Sequence, residues 1–450
     1  MKIYNTYTRQ LETFQPIETG KVKMYVCGPT VYNYIHVGNA RSVVAFDVIR
    51  KYMEYRGFEV NYISNFTDLD DKIINGANAE QISTTAFSER YIKAFYEDTD
   101  ALNVKRANQN PKASEFIAPM IEFIQELIDK GYAYVAQGDV YFRVAKSKDY
   151  AKLANKNLAE LLDGASGRTD EETSRKESPA DFALWKTAKT GEVSWQAPWG
   201  AGRPGWHIEC SVMATSLLGN TIDIHGGGAD LEFPHHTNEI AQSEAKTGQK
   251  FANYWMHNGF VNVDGEKMSK SLGNFTTVHE LLQMVNPRVL RFFLATTHYR
   301  RPVNFTSEAL QDAENNIKKI ENAYRNLSGA ENLLTDLSAL QNFQTDFQAA
   351  MDEDFNIANG MTVFYDFISW INKGNNGPEV IAFFDQVLEI LGIKFDSEKD
   401  LDSEIEQLIE ARQVAREMRD FAKSDEIRDQ LKAQGIVLED TKEGVRWHRE

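Results

Sequence analysis

In 450 residues there are only two cysteines, Cys27 and Cys210. That scarcity excludes a disulfide-stapled secreted fold. Two thiols this far apart are the usage of a reducing compartment, where they bind metal, react or lie buried. No apolar run approaches the roughly 18 residues a membrane helix needs. The opening stretch MKIYNTYTRQLETFQ is too polar for a signal peptide, so a cytoplasmic protein without membrane contact is expected. Basic charge is also short: 49 Lys and Arg face 66 Asp and Glu, a net charge of −17. Such a balance opposes indiscriminate coating of nucleic acid but leaves room for a local basic face. G-x-x-x-x-G-K-[ST] does not occur, so a nucleoside triphosphate is not held by that phosphate loop.

What is present is ordinary globular material. Hydrophobic residues make up 42% and charged residues 26%, which excludes disorder and fibrous repeats, and the length suits roughly three domains. MYVCGPTV is a short apolar strand broken at Gly28-Pro29. The following IHVGNARSVVAFDVIRKYMEYRG has helical spacing, with Val44, Val48 and Tyr52 on one face and Gly57 as a stop, and EVNYISNFTD alternates like a second strand. Strand, glycine turn, helix, strand is a βαβ unit, so residues 1–110 form the first half of a Rossmann-like parallel sheet. Residues 111–200 are expected to be an insertion, with LDGASGRTDEETSRKESPADF as exposed loop. Residues 201–280 resume the sheet through TIDIHGGGADL and FANYWMHNGFV. A helix bundle follows over 281–400, where Ile317, Ile320, Tyr324 and Leu327 recur at three- and four-residue steps. A charged helix opens the C-terminal region, 401–450.

Two segments suit a nucleotide. His36-Val37-Gly38-Asn39 opens the first helix, whose N-terminus exposes free N–H groups and partial positive charge, and Gly38 admits a ligand close to the backbone. A capping histidine beside an incidental glycine would look the same. Lys267-Met268-Ser269-Lys270-Ser271, flanked by Gly265 and Gly273, suits a loop that closes over a triphosphate, the plainer alternative being an exposed turn.

With these segments stand CGPTVY, NFTDLDDKI, GRPGWHIEC, FPHHTNEIAQ, HYRRPVNFT and DEIRDQL…GIVLED. The chain closely resembles, over nearly its whole length, the cysteinyl-tRNA synthetases of class I. The resemblance implies an ATP-dependent ligase that activates L-cysteine as an adenylate and esterifies it to tRNA(Cys), acting as a monomer on cysteine, ATP with Mg2+, and tRNA. It further implies one Zn2+ on Cys27, Cys210, His235 and Glu239. Spacing alone does not give that set, because structural zinc sites usually show paired C-x-x-C ligands, although His235 and Glu239 fall on one face of a predicted helix. By the same resemblance Thr67 and Trp206 line the cysteine site, Gly28, Thr30, Gly38, Asn39, Gly228 and Asp230 meet ATP or the adenylate, and His36, Lys267 and Lys270 meet the phosphates. Plain core packing is the alternative for Thr67 and Trp206. One departure is Asn39, where the family's first ATP motif usually ends in histidine; an amide still donates a hydrogen bond but carries no charge. His207, His225, His236 and His257 cluster in the same segments as partners of the ligands, substrate contacts or satisfied core residues.

A metal suits this substrate because shape separates cysteine from serine by only ~1–3 kcal/mol, whereas a soft cation prefers sulfur. At the C-terminus, Arg412, Arg416, Arg419 and Lys423 recur at helical steps and are expected to form one basic stripe that contacts tRNA, the alternative being a solvated face balanced by its own ion pairs. Two other functions stay open on the sequence: the related ligase that joins cysteine to an amino sugar in mycothiol synthesis, and a catalytically silent relative that binds RNA or zinc.

Overall fold

The computed structural model describes residues 1–156, 174–189, 191–263, 266–267, 276–328, 337–395, 398–418, 420–433, 435–441 and 444–449. They fall into two compact units, Met1–Ile393 and Lys394–Glu450.

The first unit is built on a four-stranded parallel sheet in the order Ala252–Asn258, Ile222–Gly228, Lys21–Val26, Glu59–Ser64. Strands covered on both faces carry little polar alternation, and Met24-Tyr25-Val26 is such a buried run. From Lys21–Val26 the chain passes through helix Val37–Tyr55 to the strand on one side. From Ile222–Gly228 it passes through helix Thr237–Thr247 to the strand on the other. Connections therefore depart in opposite directions from the two central strands, and ligands of such sheets bind outside the carboxyl ends at that switch point. Val26 pairs in register with Gly226 there.

Val44, Val48 and Tyr52 are buried as their spacing implies. The opposite face of the same helix is buried as well, which periodicity does not reveal. Helices Pro287–Ala295 and Pro378–Leu391 pack against it, and its polar residues find partners inside. Asp47 accepts from Arg291 at 2.6 Å, and Arg41 donates to the carbonyls of Thr297 and His298 at 3.1 and 2.8 Å. Satisfied in this way, they avoid the penalty of an unpaired buried charge.

Residues 133–204 include a five-stranded antiparallel sheet, ordered Ala133–Ala136, Asp139–Phe142, Phe182–Thr187, Gly200–Pro204, Trp195–Ala197. Phe142, Leu184 and Trp185 join one apolar core with Tyr25, Ile63 and Trp255, so this sheet and the parallel one are held by common packing. Most of the polar stretch expected as loop there lies outside the described residues. Further on, helices Ser307–Ser328, Leu337–Asp352, Ile357–Ile371 and Pro378–Leu391 bury Ile320, Phe347, Phe364, Phe367 and Phe383.

In the second unit, helices Glu398–Glu417 and Phe421–Ala433 and the hairpin Ile436–Thr441 with Gly444–Arg449 enclose Ile405, Ile409, Ile427, Leu431 and Ile436. The expected single basic stripe is not formed. The first helix ends at Glu417, Lys423 belongs to the second, Arg419 lies outside the described residues, and Arg412 is 7% exposed. Ile405, Ile409 and Arg412 follow one another at four- and three-residue steps, so the arginine's stem shares the helix's inward face.

The close approach of sheet and helix is testable at Gly226. A Cβ there would lie 2.4 Å from the Phe46 ring. Gly226→Ala is expected to cost about 1–3 kcal/mol of stability, the usual range for overpacking. Urea unfolding should show the loss and its partial recovery in Gly226→Ala/Phe46→Leu; an unchanged midpoint for the single variant would mean the ring yields freely.

Candidate active site

A cleft of about 380 Å³ opens at the switch point. Its walls bring together Gly28, Thr30, His36, Gly38 and Asn39 from the first half of the sheet with Trp206, Gly228 and Asp230 from the second. Glycine at 28 is dictated by contact: its N–H donates to Asn65 Oδ1 at 3.0 Å, and a Cβ would lie 1.7 Å from the Asn65 carbonyl oxygen. His36 caps helix Val37–Tyr55. Backbone bonds from Val37 N–H to Thr276 O (3.3 Å) and from Val278 N–H to Ile35 O (2.8 Å) fasten the chain beyond the Lys/Ser loop to the entrance of that helix. Of the loop itself, Lys267 is placed only as backbone of the short strand Glu266–Lys267. Lys270 lies outside the described residues.

Beside the cleft, Cys27, Cys210, His235 and Glu239 bring one donor atom each to within 4.8 Å of one another. Cys27 follows the first central strand, Cys210 sits in helix Trp206–Leu218, His235 lies in the turn Glu232–His236, and Glu239 is in the first turn of Thr237–Thr247. The two sulfurs are 3.5 Å apart, Cys27 Sγ is 3.5 Å from Glu239 Oε1, and His235 Nε2 is 3.0 Å from the same oxygen. Edges of that length fit around a tetrahedral cation with ligand bonds of about 2.0–2.3 Å. Cys27, His225, His236 and Glu239 form a second, overlapping set. The first set is favoured for a soft metal because it supplies two sulfurs. The second supplies the supports: His225 Nε2 bonds Glu239 Oε2 at 2.8 Å, His236 Nδ1 bonds His257 Nε2 at 2.7 Å, and His257 Nδ1 bonds Thr6 Oγ1 at 2.9 Å. His207 Nδ1 meets His235 Nδ1 at 3.0 Å. Trp206 stacks on His235 with ring centroids 4.3 Å apart, joining the cluster to the cleft wall.

Charge at the cluster is set by its own members. Burial opposes ionisation of Glu239, but His225 and His235 outweigh it and hold the carboxyl well below the usual carboxylate range. Burial likewise opposes a charged His235, yet Glu239 and Cys210 push it up to about 10. For Cys210 burial is outweighed by the Cys27 thiol and His235, and its pKa falls to about 6. Burial and Cys210 together push Cys27 up. Burial, reinforced by His225, holds His257 down at about 3, and His236 is depressed for the same reasons.

Thr67 does not line the cleft. It is buried beneath, bridged to the backbone of Thr30, with its hydroxyl donating to Glu209 Oε2 at 3.1 Å. Asn65 and Glu209 support the site from behind, Asn65 through Gly28 and Cys210 and Glu209 through Thr67, and sequence reasoning did not single them out. Asn65 immediately follows the strand Glu59–Ser64, and a polar residue at the carboxyl end of a strand beside the switch point was the available signal. Glu209 had none, since its role depends on which way the helix turns it.

Residues 13–315 match the class I (C) tRNA synthetase catalytic domain, 346–395 the DALR domain and 398–447 the cysteinyl-tRNA ligase anticodon binding domain. The cysteine–tRNA ligase of Lactococcus lactis subsp. lactis (strain IL1403) is 84% identical over 450 residues, with 100% of each chain covered. That of Streptococcus thermophilus (strain CNRZ 1066) is 63% identical, also with 100% of each chain covered. In fold, the chain is similar to Mycobacterium tuberculosis methionyl-tRNA synthetase in complex with methionyl-adenylate, at TM-score 0.61 and 16% identity over 85% of this chain and 87% of that one. It is also similar to the leucyl enzyme of an Agrobacterium radiobacter ternary complex with tRNA, at TM-score 0.60 and 11% identity over 84% and 83%.

The cluster predicts one tightly held divalent cation per chain. Metal analysis after dialysis against a weak chelator should find about one equivalent in the native protein and well under half in Cys210→Ala or Glu239→Ala, since a lost ligand typically leaves a site too weak to survive exchange. Equal metal content in all three proteins would remove the cluster from consideration.

Proposed function

The chain belongs to the cysteine–tRNA ligase family of class I tRNA synthetases, and from that membership we propose that it activates L-cysteine with ATP, releasing pyrophosphate, and passes the cysteine to the 3′ end of tRNA(Cys), as a cytoplasmic monomer. The observation that carries the reading is a soft-donor cluster sharing Cys27 with the nucleotide-sized cleft and joined to it through Trp206.

In the first step a cysteine carboxylate oxygen attacks the α-phosphorus of ATP, and the bond to the pyrophosphate oxygen breaks. In the second, the hydroxyl of the terminal ribose attacks the acyl carbon and AMP leaves. Both steps rest on positioning and on charge stabilisation. The N-terminus of helix Val37–Tyr55 and His36 face the phosphate end, with Lys267 and Lys270 completing it together with Mg2+. Gly28, Thr30, Gly228 and Asp230 hold the adenylate, and Trp206 closes on the amino acid. Thr67 would act from behind the wall, through the backbone bridge to Thr30. Cys27, Cys210, His235 and Glu239 would hold Zn2+, which when bound supplies a Lewis acid that takes thiolate sulfur in preference to a hydroxyl. Trp206 and His207 orient the His235 ring, and His225 fixes the Glu239 carboxylate. Arg416 and Lys423, both exposed, are the candidates for tRNA phosphates; buried Arg412 is not. The match of residues 398–447 to an anticodon binding domain favours a tRNA acceptor over an amino sugar.

Replacing Cys210 by serine should raise KM for cysteine about a hundredfold or more while leaving KM for ATP within about threefold, because only the amino acid would be read by the metal that Cys210 helps to hold. Steady-state pyrophosphate exchange measures both, and an unchanged cysteine KM would end the metal-discrimination reading.

Lys270→Ala should slow single-turnover adenylate formation by roughly a hundredfold or more, the size lost with one preorganised transition-state donor. An unaltered rate would make the Lys/Ser segment a surface turn.

A further inference from the structure

His36 and Asn39 close on each other at the start of helix Val37–Tyr55. The Asn39 backbone N–H donates to His36 Nδ1 at 3.2 Å, and the His36 backbone N–H donates to Asn39 Oδ1 at 3.3 Å. A backbone N–H only donates. Nδ1 therefore carries no proton in this arrangement, and the imidazole proton sits on Nε2. By the same logic the oxygen of the Asn39 amide, not its nitrogen, faces His36. The ring is also folded back over Gly38, where a Cβ would lie 2.8 Å from both Cε1 and Nδ1. A side chain at 38 would push the imidazole off the cap. Three of the four residues of the motif thus form a small closed device, and all three line the cleft.

We infer that Asn39 is a positioning residue for His36: by closing the cap from the other side it keeps Nδ1 occupied and presents His36 to the ATP phosphates as a neutral Nε2–H donor, without touching the phosphates itself. The inference rests on the reading that ATP occupies this cleft. It also accounts for an uncharged amide at a place where charge seemed to be missing. Asn39 Oδ1 is used on the backbone, and a donated hydrogen bond from His36 does not require a charge at residue 39. Reciprocal caps of this kind hold their geometry because each bond removes an otherwise unsatisfied N–H at the helix start.

A double-mutant cycle on the full-length protein tests it: single-turnover adenylate formation in the native chain, Asn39→Ala, His36→Ala and the double variant, with unfolding midpoints to show that each is folded. Asn39→Ala is expected to lower the rate about tenfold with KM for ATP within about twofold, and to change it by less than about twofold once His36 is already alanine, the non-additivity of a residue that acts through its neighbour. A purely structural loss would carry over undiminished into the His36→Ala background. Equal factors in both backgrounds, or a rise in KM for ATP with the rate unchanged, would overturn the inference and put Asn39 on the substrate. Cysteine-dependent pyrophosphate exchange by the native chain is the control. Its absence would overturn the reading of the cleft along with the inference, whereas exchange with additive effects would overturn the inference alone.

Discussion

Glu239 is fully buried, and a carboxylate away from water persists only where cations or hydrogen-bond donors stand against it. Its oxygens meet His225 and His235, and each of those rings is held by something else. Trp255 stacks on His225 at 4.5 Å between centroids, while His207 and Trp206 hold His235. These supports come from both outer and inner strands of the second half of the sheet and from helix Trp206–Leu218. The register of Ile222–Gly228 with its neighbours, the turn at residues 232–236 and the start of helix Thr237–Thr247 must therefore all be correct together. Removing one member of such a buried set typically costs about 3–5 kcal/mol, so the chemistry and the stability of this region are not separable.

The cleft obeys a different constraint. Where the cluster is a network of side chains, the cleft also draws on backbone: the strand ends at Cys27-Gly28 and Gly228 and the mouth of a helix line it, and the pairing of Ile35 and Val37 with Thr276 and Val278 braces that mouth. Backbone groups aimed by rigid elements need no reorganisation when charge develops in front of them. The two arrangements differ in kind, one a set of buried soft donors and the other an open cleft at the ends of the strands.

The first βαβ unit was legible because apolar runs, a glycine break and helical spacing all coincide between Met24 and Ser64, and the cleft-lining segments were legible because they are contiguous in sequence. The buried polar face of helix Val37–Tyr55 was not, since Arg41 and Asp47 look like solvent-facing residues until Arg291 and the carbonyls after Leu294 arrive from far along the chain. The candidate metal cluster was named only through family resemblance, its members being single residues without local spacing. In the tail, step counting placed Arg412 on a basic stripe, whereas the helix ends at Glu417 and turns that residue inward. Periodicity finds a face and does not say what the face meets.

Cys27 and Glu239 are 212 residues apart in sequence. At the ~5–20 residues per second of protein synthesis, Glu239 is added roughly 10–40 s after Cys27. For that interval the nascent chain carries Cys27 without its partners, and neither Cys210 nor His235 exists until near its end. The cluster thus cannot form before the second half of the sheet is made, and so it does not seed the first half; helices Pro287–Ala295 to Pro378–Leu391 of the same unit follow later still. Any metal ion captured early would have a single thiolate to hold it, so the full donor set requires both halves of the sheet.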